Sequence, residues 1–325
     1  MQERNGILAA GNLLIDKTLV ISEYPKESML ATISKIEQHC GGGCTNVLFN
    51  LAILAPDLPL FLSGAVGRDA EGDFILEQAR KHHIDTKQVV QTKLPTSFTD
   101  VMINSQSGDR TFFHYVGAMT EYLPEHLMRV ESNAKIVHIA YLPLLPAFLE
   151  LEQLISLLKG LQQKGFLISI DLVSVENKTI FTDYIRPILP YIDFAIINDV
   201  EAKILADMEN AESNKDNLEI IAQKIMQFGV KQNVIVHYPQ WAVACDQQGQ
   251  VVSVPSYWVE KHHILSTLGA GDAFCSGVLY GLHQNKPLRE VLQLGHGLAY
   301  FNLFSLSATD GAVPYDKLKQ HIDNH

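Results

Sequence analysis

The stretch Ile136-Val137-His138-Ile139-Ala140, then apolar residues at helical spacing over 147–164, then Phe166-Leu167-Ile168-Ser169-Ile170-Asp171-Leu172, decides the fold class. The two short, nearly continuous apolar runs read as strands buried on both faces. A helix of that length between them is what a parallel crossover requires. Working outward, the alternation continues in both directions. Upstream, 7–15 reads as a first strand, 45–54 as a helix after a glycine cluster, 60–66 as a strand and 71–81 as a helix. Downstream, 194–197 reads as a strand, 217–228 as a helix, 234–236 as a strand and 273–283 as a helix. The pattern predicts an α/β fold with parallel crossovers and a sheet covered on both faces.

Two stretches break the rhythm. Residues 17–38 contain no long helix, and 97–115 read as two strands around Asn104-Ser105-Gln106-Ser107-Gly108-Asp109, a run rich in turn formers. Strands from these two places can pair as a small sheet outside the main core. Such a sheet serves either as a lid that excludes water from a reacting group or as an ordinary surface hairpin.

Composition narrows the class. A chain of 325 residues, 47% of them hydrophobic, is long enough for a large α/β core, and 19% charged residues are too few for a disordered polyelectrolyte. A formal net charge of −11 with no Lys/Arg block opposes nucleic acid or an anionic membrane as the main partner. It leaves room for an anionic small ligand in a local site. Cys40, Cys44, Cys245 and Cys275 are too few for a disulfide framework. Met1-Gln2-Glu3-Arg4-Asn5 lacks the profile of a signal peptide, and no apolar run is long enough to cross a bilayer. The expectation is a reduced, cytoplasmic, soluble protein.

The chemistry is concentrated in two glycine-led helix starts. In Ser266-Thr267-Leu268-Gly269-Ala270-Gly271-Asp272-Ala273-Phe274, small residues run directly into an apolar helix. Glycines let a ligand approach backbone N–H groups, and the helix points its positive end at the same spot. Together they make an anion hole for a phosphoryl group. Asp272 there is either a general base for an attacking hydroxyl or simply a helix N-cap. In Gly41-Gly42-Gly43-Cys44-Thr45-Asn46 the amide of Asn46 offers hydrogen bonds to a substrate hydroxyl. The spacing of these glycines is not a dinucleotide fingerprint, and neither a Gly-Lys-Ser/Thr P-loop ending nor a protein-kinase motif occurs.

In order along nearly the whole chain, these motifs resemble the ribokinase-like (PfkB-type) carbohydrate kinases. Gly11-Asn12-Leu13-Leu14-Ile15-Asp16 is similar to the opening strand whose aspartate grips substrate hydroxyls. Gly41-Gly42-Gly43 with Asn46 resembles the first family motif, and Gly64-Ala65-Val66-Gly67-Arg68-Asp69 with Gly72 the next block. Gly108-Asp109-Arg110-Thr111-Phe112 and Gly117-Ala118 resemble the lid strand and its return. Asn198-Asp199-Val200-Glu201 resembles the Asn-x-x-Glu element near magnesium, and Gly269-Ala270-Gly271-Asp272 the second and most specific motif.

The resemblance implies a Rossmann-like three-layer α/β/α fold with a small β-sheet lid. It implies a single kinase domain over 1–325, with the lid built from about 17–38 and 97–117. It implies ATP with Mg²⁺ as donor and a sugar or sugar-like alcohol as acceptor, and it favours the lid and the base over their bland alternatives. Asp272 then takes the hydroxyl proton, and the N–H groups of Ala270, Gly271 and Asp272 after the Gly269 turn surround the phosphoryl group. Asn198 and Glu201 orient magnesium through water, and together with Thr267, Gly269 and Gly271 they form the nucleotide side. Asp16, Asn12, Gly42, Gly43 and Asn46 hold acceptor hydroxyls. Arg110 either reaches the substrate from the lid or pairs with a surface acid. The helix N-terminus is expected to keep Asp272 ionised. Lid strands in this family can form a homodimer interface.

Two departures stand out. Ser266 occupies the place of an aspartate that helps form a monovalent-cation site in many members, so K⁺ activation is not expected. At His237-Tyr238-Pro239-Gln240-Trp241-Ala242 the family usually has Thr-x-Gly beside the nucleotide phosphates; here the residues are bulky and Pro239 donates no N–H. That change keeps open a catalytically weak sugar-binding sensor, beside a nucleoside kinase on the same fold. Zinc at Cys40, Cys44 and His39 lacks the closed four-ligand set of a structural site. The pairs His82-His83 and His262-His263 read as surface or packing residues, and Cys275 as a small core residue.

Overall fold

A computed structural model describes residues 4–107 and 109–325. Met1–Glu3 of the N-terminal reading and Gly108 of the turn reading lie outside the described residues. The first part of the chain forms β1 (Ile7–Gly11), β2 (Leu14–Ile21), β3 (Ile33–Gly41), α1 (Gly43–Leu54), β4 (Leu60–Gly67), α2 (Ala70–Lys81) and β5 (Asp85–Thr92). The middle forms β6 (Ser97–Asn104), β7 (Arg110–Tyr115), α3 (Pro124–Met128), β8 (Ile136–Ala140), α4 (Leu151–Gln163), β9 (Leu167–Asp171) and α5 (Arg186–Ile188). The rest forms β10 (Phe194–Asn198), α6 (Asp199–Leu205), α7 (Lys215–Gln227), β11 (Asn233–His237), β12 (Trp241–Asp246), β13 (Val251–Pro255), α8 (Ala270–His283), α9 (Leu288–Asn302) and α10 (Tyr315–Asp323).

The deciding stretch folds as a β8–α4–β9 crossover with the two strands parallel. Its helix starts at Leu151, later than the spacing predicts, because Glu150 caps it by accepting from Gln153 N at 2.8 Å. The large sheet runs β13-β12-β11-β10-β9-β8-β1-β4-β5. It is parallel from β11 to β5, whereas β12 and β13 add antiparallel at the edge. The link from β11 to β12 is a tight turn closed by Tyr238 N–H to Trp241 O at 3.0 Å, too short for a crossover. Along β1, Leu8 and Ala10 pack into one apolar core with α4 and α7, while Ile7 and Ala9 pack into the other with α1, α8 and α9. Helices therefore cover both faces, giving three α/β/α layers.

The expected first strand over 7–15 divides at Asn12-Leu13. β1 stays in the large sheet and β2 enters a second sheet of order β3-β2-β6-β7. The break is marked by Gly11-Asn12, a glycine followed by a turn former that the single-strand reading passed over. The smaller sheet draws on both stretches that break the helical rhythm, with β2 and β6 parallel and in register from Leu14↔Ser97 to Ile21↔Asn104. The block around Asp69 ties the two sheets together. Asp69 caps α2 through Gly72 N–H at 2.9 Å and accepts from Thr96 N at 2.7 Å, just before β6. Among the described residues no helix is long and apolar enough to cross a membrane.

Candidate active site

β1 is the point where the order of the large sheet reverses, with β4 on one side and β8 on the other. In open α/β sheets, ligand crevices lie beyond the strand carboxyl ends at such a point. Tyr141 follows β8, Asp171 ends β9, Asn198 ends β10 and His237 ends β11. All four line one cleft of about 290 Å³, together with Glu201, Gly269, Gly271, Asp272 and Cys275. Another hollow of about 320 Å³ lies at the opposite end of β1, lined by Asn5, Leu54 and Tyr315 among others, away from this convergence of polar groups.

α8 opens at the cleft. Its cap is Gly269 in the left-handed region (φ 73°), where an added Cβ would stand 2.5 Å from Ala308 Cα. Asp272 is therefore the third helical residue, so the N-cap alternative does not hold. Ala270 N–H turns back to Thr267 O at 3.3 Å, a departure from the expectation that it faces the phosphoryl group. The N–H groups of Gly271 and Asp272 have no partner among the described residues. Gly271 borders open space, since an added Cβ would meet only His237 Cε1, at 3.7 Å.

The Asp272 carboxylate is buried and accepts from Tyr141 OH at 2.6 Å and Asn46 Nδ2 at 2.8 Å. Burial pushes its pKa up to about 7, against the lowering effect of the Tyr141 hydrogen bond. Here burial outweighs the helix N-terminus, which was expected to hold the group ionised.

The Asn46 bond joins the two glycine-led segments. α1 is capped by Gly42 at φ 93°, where a Cβ would stand 2.3 Å from Asn12 O, and Gly43 packs on Tyr141. Asn46 Oδ1 and Asn12 Nδ2 are buried without a partner among the described residues. Asp16 lies on β2 between His39 of β3 and Thr99 of β6. Burial pushes its pKa up to about 6, opposed by His39 and a hydrogen bond with Thr99. Arg110 is not brought to the cleft. It is exposed, and it lies four residues along β7 from His114, the partner of Thr99, which is about 14 Å at strand rise.

On the other side of the cleft, Asn198 and Glu201 form a reciprocal cap on α6. Asn198 Oδ1 accepts from Glu201 N at 2.9 Å, and Glu201 accepts from Asn198 N at 3.1 Å and Nδ2 at 2.6 Å. Burial pushes Glu201 up to about 7 with Asp171 adding to the rise, so the carboxylate lacks a compensating cation. The cleft's oxygen donors, with Glu201 short of positive charge, fit a hard divalent cation such as Mg²⁺. Thr267 is exposed at the entry to α8, and Ser266 is buried and closes its own turn by accepting from Leu268 N at 3.0 Å. His237 stacks on Phe274 with centroids 4.5 Å apart, and burial pushes it down to about 4. It stands in the cleft at the start of the segment where the sequence departs from the family.

Tyr141 and Asp171 are the residues that sequence reading missed. Asp171 accepts from Tyr141 N at 2.7 Å and holds that residue in the left-handed region, φ 51°. The clue was available: Asp171 is a charged residue closing a buried strand. For Tyr141 no local pattern exists. Among the other candidates, Cys44 is wholly buried and Cys40 half-buried, His82 stacks on Phe49 at 4.7 Å, and His262 and His263 are exposed beside Glu260.

Residues 7–314 match the pfkB family of carbohydrate kinases. An ATP-dependent 6-phosphofructokinase of Thermoanaerobacterium thermosaccharolyticum is 24% identical over 98% of this chain and 94% of its own length. An adenosine kinase of Saccharomyces cerevisiae is 22% identical over 86% of this chain and 81% of its own. The solved structure of an Arabidopsis thaliana ribokinase complexed with ribose and ATP superposes with a TM-score of 0.81 at 19% identity, covering 98% of this chain and 99% of that one.

Proposed function

The chain belongs to the pfkB family of carbohydrate kinases, phosphotransferases that use ATP to phosphorylate a sugar-like or nucleoside hydroxyl, and we propose that this protein does so with Asp272 as the general base on a sugar or sugar-like acceptor. The observation that carries the proposal is the junction of the two helix starts. Asp272 is buried, held by Asn46 from α1, and stands beside the unbonded N–H groups of Gly271 and its own backbone.

Phosphoryl transfer depends on positioning and charge compensation more than on covalent help. Asn12 and Asn46, each with a free buried polar atom, and Asp16 are suited to fixing acceptor hydroxyls. The ionised Asp272 carboxylate takes the hydroxyl proton as oxygen attacks the γ-phosphorus and the bond to ADP breaks. The N–H groups of Gly271 and Asp272 receive the charge that develops on the phosphoryl oxygens. Asn198 and Glu201 would hold Mg²⁺ through water, and the ion would supply charge compensation on the phosphates. The smaller sheet acts as the lid, which excludes water from the transfer. Its outer strands β3 and β7 expose Ile36 and Phe113, which the strand register puts on one face, an apolar surface suited to a homodimer. With Ser266 closing its own turn, turnover is expected to be the same with and without K⁺.

The test is ADP release with MgATP across a panel of sugars and nucleosides, with Asp272→Asn as the control. Acceptor-dependent turnover that is lost in the variant supports the proposal and names the acceptor class. A second reading rests on His237, which stands at the phosphate side in place of a small hydroxyl residue: a sugar-binding sensor with a weak donor site. Silence across the panel, combined with no MgATP binding by calorimetry and tight binding of one sugar, would favour that reading.

A further inference from the structure

One step beneath the proposed base, three metal-ligating side chains converge in the core. His138 of β8, Asp171 at the end of β9 and Cys275 of α8 are all buried, and each offers a ligand atom within 4.8 Å of the others. His138 Nε2 lies 3.4 Å from Asp171 Oδ2 and 3.7 Å from Cys275 Sγ. Around a tetrahedral Zn²⁺, ordinary metal–ligand lengths place a nitrogen about 3.4 Å from an oxygen ligand and about 3.6 Å from a sulfur ligand. The observed separations match those edges. The 3.4 Å between His138 and Asp171 is longer than the roughly 2.7–2.9 Å of a charge-assisted hydrogen bond, whereas the 3.7 Å to Cys275 also suits a sulfur hydrogen bond.

The surroundings are those of a built site. His138 Nδ1 is 3.1 Å from Ser169 Oγ, the outer partner that orients a ligating imidazole and leaves Nε2 free to bind. Asp171 Oδ1 is fixed by Tyr141 N–H, leaving Oδ2 for the cluster. Among the described residues no Lys or Arg pairs with Asp171. Asp171 and Cys275 both line the cleft, which provides a route of entry and an open fourth position.

We propose that His138, Asp171 and Cys275 form a binding site for a thiophilic divalent cation of the Zn²⁺ type, distinct from the oxygen-donor pair Asn198–Glu201. A neutral imidazole, a carboxylate and a thiolate exactly offset the charge of the ion, leaving the buried site neutral. On binding, the Cys275 S–H bond breaks, sulfur bonds the metal and the proton leaves to water. An ordinary thiol is mostly protonated at pH 7, so the release of this proton on metal binding is measurable.

The probe is Co²⁺ alone, titrated into the reduced, chelator-treated full chain without nucleotide. The expected result is a near-ultraviolet thiolate-to-cobalt charge-transfer band that saturates at one ion per chain and is erased by Zn²⁺, with about one proton released per Zn²⁺ at pH 7. Cys275→Ser should lose the band, whereas Cys44→Ala and Glu201→Gln should keep it. Ser169→Ala should weaken Zn²⁺ binding roughly 10–100-fold. No band in the wild-type chain at any Co²⁺ concentration, or a band that survives in Cys275→Ser, overturns the proposal. If Cys275→Ser does not fold, judged by circular dichroism, the wild-type band and the proton count decide alone. These readouts require no kinase activity and stand whether or not the proposed reaction does.

Discussion

α1 and α8 begin alike and do different work. Each is capped by a glycine with positive φ and lacks a side-chain cap, and each points its N-terminus at the same junction. At α1 the glycines are packed tight: Gly42 against Asn12 and Gly43 against Tyr141. At α8, Gly271 faces open space and the third residue is a carboxylate rather than an amide. The contrast teaches that a glycine-led helix start is a scaffold for either task. A neutral, filled start suits recognition of hydroxyls; an open start beside an acid suits a transferring phosphoryl group.

The largest effect should come from the acid that separates them. Asp272→Asn is expected to lower kcat by roughly 10²–10⁴, the usual contribution of a general base, with circular dichroism unchanged. The same change should alter stability with pH. A carboxyl raised from an ordinary 3.8 to about 7 stabilises the folded chain fully below pH 4 and loses that contribution as pH rises through 7. Glu201, raised to about 7, has the same sign. Urea unfolding at pH 5 and pH 8 should therefore show a larger loss on going to pH 8 in the wild type than in Asp272→Asn. Equal losses would mean that Asp272 does not carry a buried charge.

Next come the glycines themselves. Gly42→Ala puts a Cβ 2.3 Å from Asn12 O at a left-handed residue and should cost about 3 kcal/mol of stability, read by denaturant midpoint. Gly271→Ala meets nothing closer than 3.7 Å and should leave the midpoint within about 1 kcal/mol, while turnover falls roughly 10²-fold as a methyl group crowds the phosphoryl path. If the two variants behave alike, the packed-versus-open distinction is wrong. Asn46→Ala should be milder, raising KM for the acceptor about tenfold by loss of one substrate hydrogen bond, and it should also raise the Asp272 pKa because the donor to Oδ2 is gone.

Much of this comparison was legible in the sequence. The β–α alternation from 136 to 172 marked the parallel crossovers, and the glycines before two apolar helices marked both N-termini. What the sequence could not carry was the outcome of burial. The direction of the Asp272 pKa follows from desolvation that only the assembled layers create, which outweighs the lowering bonds from Tyr141 and Asn46, neighbours more than 130 residues away. The split of 7–15 between two sheets was marked by Gly11-Asn12, but apolar residues on both sides do not show which sheet each half joins. Arg110 looked available from its place in a motif, yet strand register puts it near the far end of β7. Tyr141 had no local mark, because its strained backbone is fixed by Asp171, thirty residues downstream.

The smallest effect should be that of Tyr141→Phe, and it sharpens how the open start keeps its buried acid able to ionise. Tyr141 OH donates to Asp272 Oδ1 at 2.6 Å, a bond that favours the ionised carboxylate and is the largest lowering influence on a group dominated by burial. Removing only the hydroxyl leaves the ring against Gly43 and the backbone bond to Asp171 in place. The carboxylate then loses a stabilising donor, so its pKa rises and the acid limb of kcat/KM against pH should move upward from about 7. The plateau at high pH should stay near wild type, because the base is still present once ionised. The attacking hydroxyl also no longer competes with Tyr141 for Oδ1. An unmoved limb would show that the Tyr141 bond does not favour the ionised carboxylate in the free enzyme. A collapsed plateau would show that the hydroxyl itself touches the reacting atoms.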